Sequence, residues 1–377
     1  MNDRFVLTHW EQVRRRLGGA LARSLLLAVT TVAALALLAI IGFIAVNALP
    51  FFAESSLSDF LTGRSWYPSD DPPQFGALPL FVASGLITLT AMLFAVPIGL
   101  SSAVCLSDIL PFRWSQALKP AVEMLAAIPS VAYGFFALVV VAPLLQNHGA
   151  LLLRILWWLL ATPALLLTAL VLAELSTLLV NCDSRKTTMR NVVAFVLCLL
   201  FLLFLLAVDA SLSTVVVASG ANALNAALIL AVMMLPTIVS VSQDSLQSVG
   251  SDLRAGSYAL GATRAETLVK IVIPAAGSGI ISAILLGCMR AIGETMVVWM
   301  ASGNAAQIPE PWYNLLLPVR TLTATIAGDM GEADQVTGSA RYHVLFAIGL
   351  CLLLFSLACS ATAEGVVARQ RRRLRGE

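Results

Sequence analysis

The stretch "SDLRAGSYALGATRAETLVKIVIP", Ser251 to Pro274, reads as two short helices joined by a tight corner. Gly261 is the corner, because a residue without a side chain takes the left-handed backbone angles that end a helix at little cost. Thr263 caps the second helix, and Glu266, three residues on, reaches back to complete a capping box. Pro274 is expected to punctuate the end of that helix, while Leu260, Leu268 and Ile271 supply an apolar side. Local chemistry leaves two readings of equal weight, a well-capped connection or a built recognition element, so the flanking sequence decides.

Those flanks are oily. The 377 residues are 59% hydrophobic and 12% charged, with a mean hydropathy of +0.89, far outside the range of soluble domains. An all-α integral membrane protein is expected. The balance of 23 Lys+Arg against 21 Asp+Glu gives no net field that would favour nucleic acid. Cys105, Cys198, Cys288, Cys351 and Cys359 lie in or beside apolar runs and Cys182 in a short polar loop; without a CxxC pair they read as small packing residues. His9, His148 and His343 are isolated, so no metal site is expected.

Apolar runs long enough to cross a bilayer, which takes ~20 helical residues, occur near 24–49, 78–107, 120–145, 155–180, 191–208, 222–242, 276–303 and 342–364. Eight spans are therefore expected. Alternate connections carry 18 Lys and Arg residues and the opposite set carries 4, which puts both termini in the cytoplasm. Pro97, Pro129, Pro163 and Pro236 lie inside spans, where they permit kinks. The expected organisation is a basic cytoplasmic N-terminus (1–23), three spans (24–145), a helical hairpin with flanking loops (146–221), a core containing the 243–275 loop (222–364) and a basic cytoplasmic tail (365–377).

Small residues at 255–257, then Gly261, Ile271 and Pro274, are similar in spacing to the cytoplasmic coupling loop of ABC-importer permeases. Ala255, Gly256 and Ser257 stand where that family usually has Glu-Ala-Ala. Together with "PAVEMLAAIPSVAYGFFAL" from Pro120, "RAIGETMVVWMASGN" from Arg290 and "RTLTATIAGDMGEA" from Arg320, the loop resembles the C-type membrane subunit of the bacterial high-affinity phosphate importer, the Pst system. The resemblance runs from about residue 20 to 365. It implies the type I ABC-importer permease fold, whose usual six spans are here joined by an extra hairpin around "NCDSRKTTMR". Glu174 in that hairpin is costly against lipid and is expected to meet a polar partner or the membrane edge.

The resemblance also implies a division of labour. The chain has no GxxxxGK[ST] loop, and its lysines, Lys119, Lys186 and Lys270, follow no glycine-rich turn. A transport subunit without a nucleotide site or cofactor of its own is expected, with ATP and Mg bound by a cytoplasmic ATPase dimer. Asp252, Leu260, Gly261, Ala262, Thr263 and Glu266 are the expected ATPase-coupling residues. An A-type sister permease, a soluble phosphate-binding protein outside and membrane lipid complete the implied partners, and nucleic acid is not among them.

Arg290 falls within the 276–303 run, where a charge costs ~2.5–3.5 kcal/mol. Glu294, one turn further on the same face, is placed for an ion pair. One reading is a salt bridge that fixes packing; the other is a station for an anion, whose oxygens suit the planar guanidinium fork. Glu123, and Ser130 and Tyr133 beside Pro129, extend the candidate path, with snorkelling or packing as their alternatives. Trp66, Tyr67, Trp312 and Tyr313 read as interfacial anchors. Asp70, Asp71, Asp329, Glu332 and Asp334 would discourage free anions at the outer face. A permease for a related oxyanion and an ATP-independent transporter or channel remain open. An intramembrane enzyme does not fit, since no HExxH or paired catalytic constellation is present.

Overall fold

The computed structural model describes residues 9–178, 184–333 and 339–375; the side chains of 163–195, including Pro163, Glu174, Cys182 and Lys186, lie outside the described set, as does Asp334. The chain is built from α1 (His9–Glu54), α2 (Leu57–Thr62), an antiparallel pair β1 (Trp66–Tyr67) and β2 (Gln74–Phe75), and α3 (Leu78–Val104), which runs on through a π-turn at Cys105–Ile109. Next come α4 (Phe112–Ala127), α5 (Ser130–Phe136), a π-turn at Ala137–Val141, α6 (Ala142–Leu178), α7 (Ser184–Ser213) and α8 (Ala223–Gln247). The second half continues with α9 (Ser251–Ala259), α10 (Arg264–Thr267), a π-turn at Leu268–Val272, α11 (Ile273–Ile292), α12 (Met296–Ala301), α13 (Leu322–Asp329) and α14 (Ala340–Arg375).

Among the described residues six helices are long and apolar enough to cross a bilayer: Gly18–Ala53, Leu78–Ile109, Ser130–Leu159, Ala223–Gln247, Arg264–Ile292 and Ala340–Arg369. The two extra runs of the sequence fall in α6 and α7, where Leu199–Ser213 is a shorter apolar helix. The chain is a multi-pass, all-α membrane protein. Two boundaries differ from expectation. Residues 146–154 form no loop, because α6 passes through them and leaves helical angles at His148 (φ −126°, ψ 23°). On the two sides of that kink, Ala142 packs against Gly220 and Gly149 against Val217, so both limbs meet one connecting segment. Pro274 does not end the second short helix. It lies at the start of α11 inside a helix that is continuous from Arg264, and the π-turn at Leu268–Val272 before it accommodates the missing N–H.

The core forms around α8, which packs between α3 and α11, while α1 lies against α14. Two smaller clusters mark opposite ends of the bundle. Ala103, Leu246, Val249, Val272 and Ala276 gather the ends of α3 and α8 with the start of α11. Phe51, Phe60, Trp66, Leu80, Leu322 and Leu345 gather the end of α1 with the starts of α3, α13 and α14. α3 and α14 thus begin at the end where α1 finishes, and α11 begins at the end where α3 and α8 finish. Phe51, Phe60 and Phe75 meet edge to face with centroids 5.3–5.5 Å apart, each pair adding ~0.5–1.5 kcal/mol beyond its burial. Leucines of α1 such as Leu25, Leu26 and Leu38 stay exposed on the chain, an arrangement a bilayer stabilises and water does not.

Candidate functional site

Arg290 lies near the end of α11 and donates to Thr237 Oγ1 of α8 at 3.2 Å. Thr237 stands just past the middle of α8, whose 25 residues span about 37 Å, so the charge lies at mid-depth. The expected ion pair with Glu294 is absent: among the described residues neither side chain has an ion-pair partner. The reason is a break. α11 stops at Ile292, Gly293 forms a turn, and Glu294 and Thr295 are unwound before α12 begins. The four-residue spacing therefore no longer keeps the two residues on one helical face. The Glu294 carbonyl instead accepts from Thr323 Oγ1 at 2.7 Å. Gly293 inside an apolar run was the available signal.

A second interruption faces the first. Pro129 separates α4 from α5 and has no N–H for the carbonyl of Leu125, one turn back. The Tyr133 hydroxyl donates to that carbonyl at 2.8 Å and supplies the missing bond. Gly134 then lets α5 approach α12, since a Cβ there would stand 3.1 Å from the Met296 carbonyl oxygen and 3.2 Å from Val297 Cα. Tyr133 is buried and lies within electrostatic reach of Arg290. Ser130, half-buried, opens α5, and Glu123 is on the exposed face of α4; among the described residues neither bonds to Arg290. One turn before Glu123, Lys119 pairs with Asp244 of α8 at 3.1 Å. Sequence reading missed Thr237 and the Lys119–Asp244 pair because their partners come from distant helices.

The Gly261 corner has the expected construction. Gly261 adopts φ +84°; its N–H donates to the Tyr258 carbonyl at 3.0 Å and that of Ala262 to Ser257 at 3.2 Å, the paired bonds of a Schellman turn. The Thr263 N–H donates to Glu266 Oε2 at 3.0 Å and the Glu266 N–H to Thr263 Oγ1 at 3.3 Å, closing the capping box. Ser257 and Thr267, both buried, share a 2.8 Å hydrogen bond that fixes α9 on α10. Asp252 lies in the first turn of α9, and Leu260 projects from the tip at 90% exposure. Exposed apolar surface on a rigid, capped corner is what a docking partner would cover.

At the opposite end, two expectations need correction. Trp66 is no interfacial anchor: it is buried and its Nε1 donates to Asp329 Oδ2 at 3.4 Å. Asp329 is no free surface charge, because it is buried and pairs with Arg320 at 2.6 Å and Arg341 at 3.8 Å. Glu332 is likewise occupied by Arg341 at 2.7 Å. Asp70 and Asp71 remain exposed, as do Tyr67, Trp312 and Tyr313. Tyr67, Asp70, Asp329 and Glu332 rim a cavity of about 560 Å³ that Trp299, Asn304 and Gln307 also line. Among the described residues no group of three His, Cys, Asp or Glu could hold a metal ion.

Comparison with known proteins places this geometry. Residues 184–376 match the family described as the inner membrane component of binding-protein-dependent transport systems. The chain is 30% identical over 344 residues to a probable ABC transporter permease, YqgH, of Bacillus subtilis, covering 91% of this chain and 88% of that protein. It is 30% identical to the phosphate transport system permease protein PstC of Mesorhizobium japonicum, with 93% and 91% covered. The PstC of Pasteurella multocida is 28% identical, with 86% and 85% covered.

Proposed function

The chain belongs to the inner membrane components of binding-protein-dependent transport systems, and on that premise we propose that it is the permease subunit of an ATP-driven phosphate importer. In this reading it lies in the bacterial cytoplasmic membrane with both termini inside and contributes half of a translocation path. A sister permease supplies the other half, and an ATPase dimer that binds ATP and Mg docks at the Gly261 corner. A soluble phosphate-binding protein delivers solute at the opposite face. The core is 24–145 with 222–364, and the 146–221 hairpin is an addition to it.

The observation that carries the reading is Arg290. Its guanidinium is exposed on the chain's own surface at mid-depth, bonded to a neutral hydroxyl, beside a stretch of unwound backbone. Irregular backbone at that depth is tolerated where it is enclosed by protein or lines a hydrated path. A packing salt bridge would have found Glu294, and it does not. A neutral partner leaves the fork free to meet the oxygens of a mono- or dianion. Phosphate is supported by the names of the Mesorhizobium and Pasteurella relatives.

The test is uptake by the complex reconstituted with its partner subunits in vesicles. Labelled phosphate should enter only with ATP and resist competition by sulfate or other oxyanions. Entry without ATP, or preference for another oxyanion, overturns the reading. Arg290→Gln should abolish uptake in a complex that assembles normally; failed assembly would favour packing. Cysteines at Leu260 or Thr263 should cross-link to the ATPase subunit, and failure to capture it would remove the corner from the coupling surface.

A further inference from the structure

Docking of an ATPase at the Gly261 corner, on which this inference rests, leaves unanswered how motion there reaches the spans. We propose that Arg254 is a positioning residue that ties the coupling segment to the core, with Asp108 as its receiver.

Arg254 projects from α9 and donates from Nη1 to Asp108 Oδ1, in the π-turn that ends α3, and from Nη2 to the Leu246 carbonyl, in the last turn of α8, at 2.9 Å. One side chain thus holds the ends of α3 and α8, the two helices with the most extensive mutual packing among the described residues. Among those residues, the remaining side-chain bonds of α9 are local or run to α10 at the start of the Arg264–Ile292 helix, so Arg254 makes its only side-chain hydrogen bonds to α3 and α8. The pair is largely screened from solvent, with 23% of the Arg254 side chain and 12% of Asp108 exposed, so the attraction is stiffer than that of a surface pair.

Residue type and location fit the role. A guanidinium presents separate donors in a fixed fork and engages two acceptors at once, which an ammonium does with less directional rigidity. Asp108 sits in a π-turn, a local loosening of the helix that moves at lower cost than regular α-helix. Its other oxygen, Oδ2, is buried without a partner among the described residues, so the carboxylate can rotate without losing a second bond. A cavity of about 570 Å³, lined by Asp108, Arg254, Tyr258 and Arg264, lies beside the pair and gives the side chains room to shift.

The experiment measures ATP hydrolysed per solute imported by the full reconstituted complex. Arg254→Gln and Asp108→Asn should assemble and keep hydrolysis within about twofold of the parent while import falls about tenfold, the scale on which coupling networks respond. Arg254→Lys should fall between them and the parent. The exchange Arg254→Asp with Asp108→Arg should recover part of the import lost by either single change; recovery is partial because Asp cannot donate to the Leu246 carbonyl. The proposal is overturned if the variants import at the parental ratio, if hydrolysis and import decline together with loss of assembly, or if the exchange recovers nothing. Failure of the solute assignment looks different: the parent complex itself would import another oxyanion, and the ratio is then read with that solute.

Discussion

Gly261 and Asp329 show two ways a single residue can be indispensable. At φ +84° Gly261 occupies a region other residues enter with strain, yet nothing lies within 4 Å of where its Cβ would be. Gly261→Ala should therefore cost about 1–2 kcal/mol of backbone strain alone, and Gly261→Asn less, because its short side chain tolerates the left-handed region. Hydrogen exchange at Tyr258 to Thr263 in the assembled complex checks this: faster for Ala, near parental for Asn. Asp329 matters through charge. Removing it strands Arg320, whose side chain is only 13% exposed, and leaves Arg341 to Glu332 alone, and Asp329→Ala should cost on the order of 3 kcal/mol, read by thermal unfolding of the purified chain. An unchanged transition would show that the cluster is not held by charge. Gly261, Thr263 and Glu266 were legible in the sequence because each acts on neighbours within four residues. Trp66 and Asp329 were not, since their bond closes over a separation of 263 residues and no local pattern encodes it.

Interrupted helices raise the same contrast between elements. The Pro129 break was visible as a proline in an apolar run, but its repair by Tyr133 was not, because that bond depends on the angle at which α5 leaves α4. Tyr133→Phe removes the donor to Leu125 and should destabilise the complex by about 1 kcal/mol without altering the phosphate concentration for half-maximal uptake. Weaker apparent affinity with normal stability would make the phenol a solute contact instead. At the corner, Thr263→Ala should cost about 1 kcal/mol by unmaking the capping box, visible as faster exchange of the Glu266 amide. The continuous helix from Arg264 to Ile292 was hidden by Pro274, which reads as a stop until the π-turn before it is seen. The break at Gly293 was hidden for the opposite reason. The run from 276 to 303 stays apolar across it, and hydropathy carries no information about backbone angles.

For the molecule as a whole, the alternation of its ends could be read from Lys and Arg alone, whereas the incompleteness of its surface could not. Arg290 is exposed on the single chain although Thr237 places it at mid-depth. Facing lipid, such a charge costs ~2.5–3.5 kcal/mol; facing a partner and a hydrated path, it does not. One substitution should therefore have opposite effects in two settings. In bilayers holding this chain alone, Arg290→Leu should raise stability against unfolding by about 2–3 kcal/mol, because the uncompensated charge is gone. In the assembled complex the same change should remove phosphate uptake, because the anion loses its fork of donors. If Arg290→Leu instead destabilises the isolated chain, the Thr237 bond is a packing element, and the surface that carries it is already complete without a second subunit.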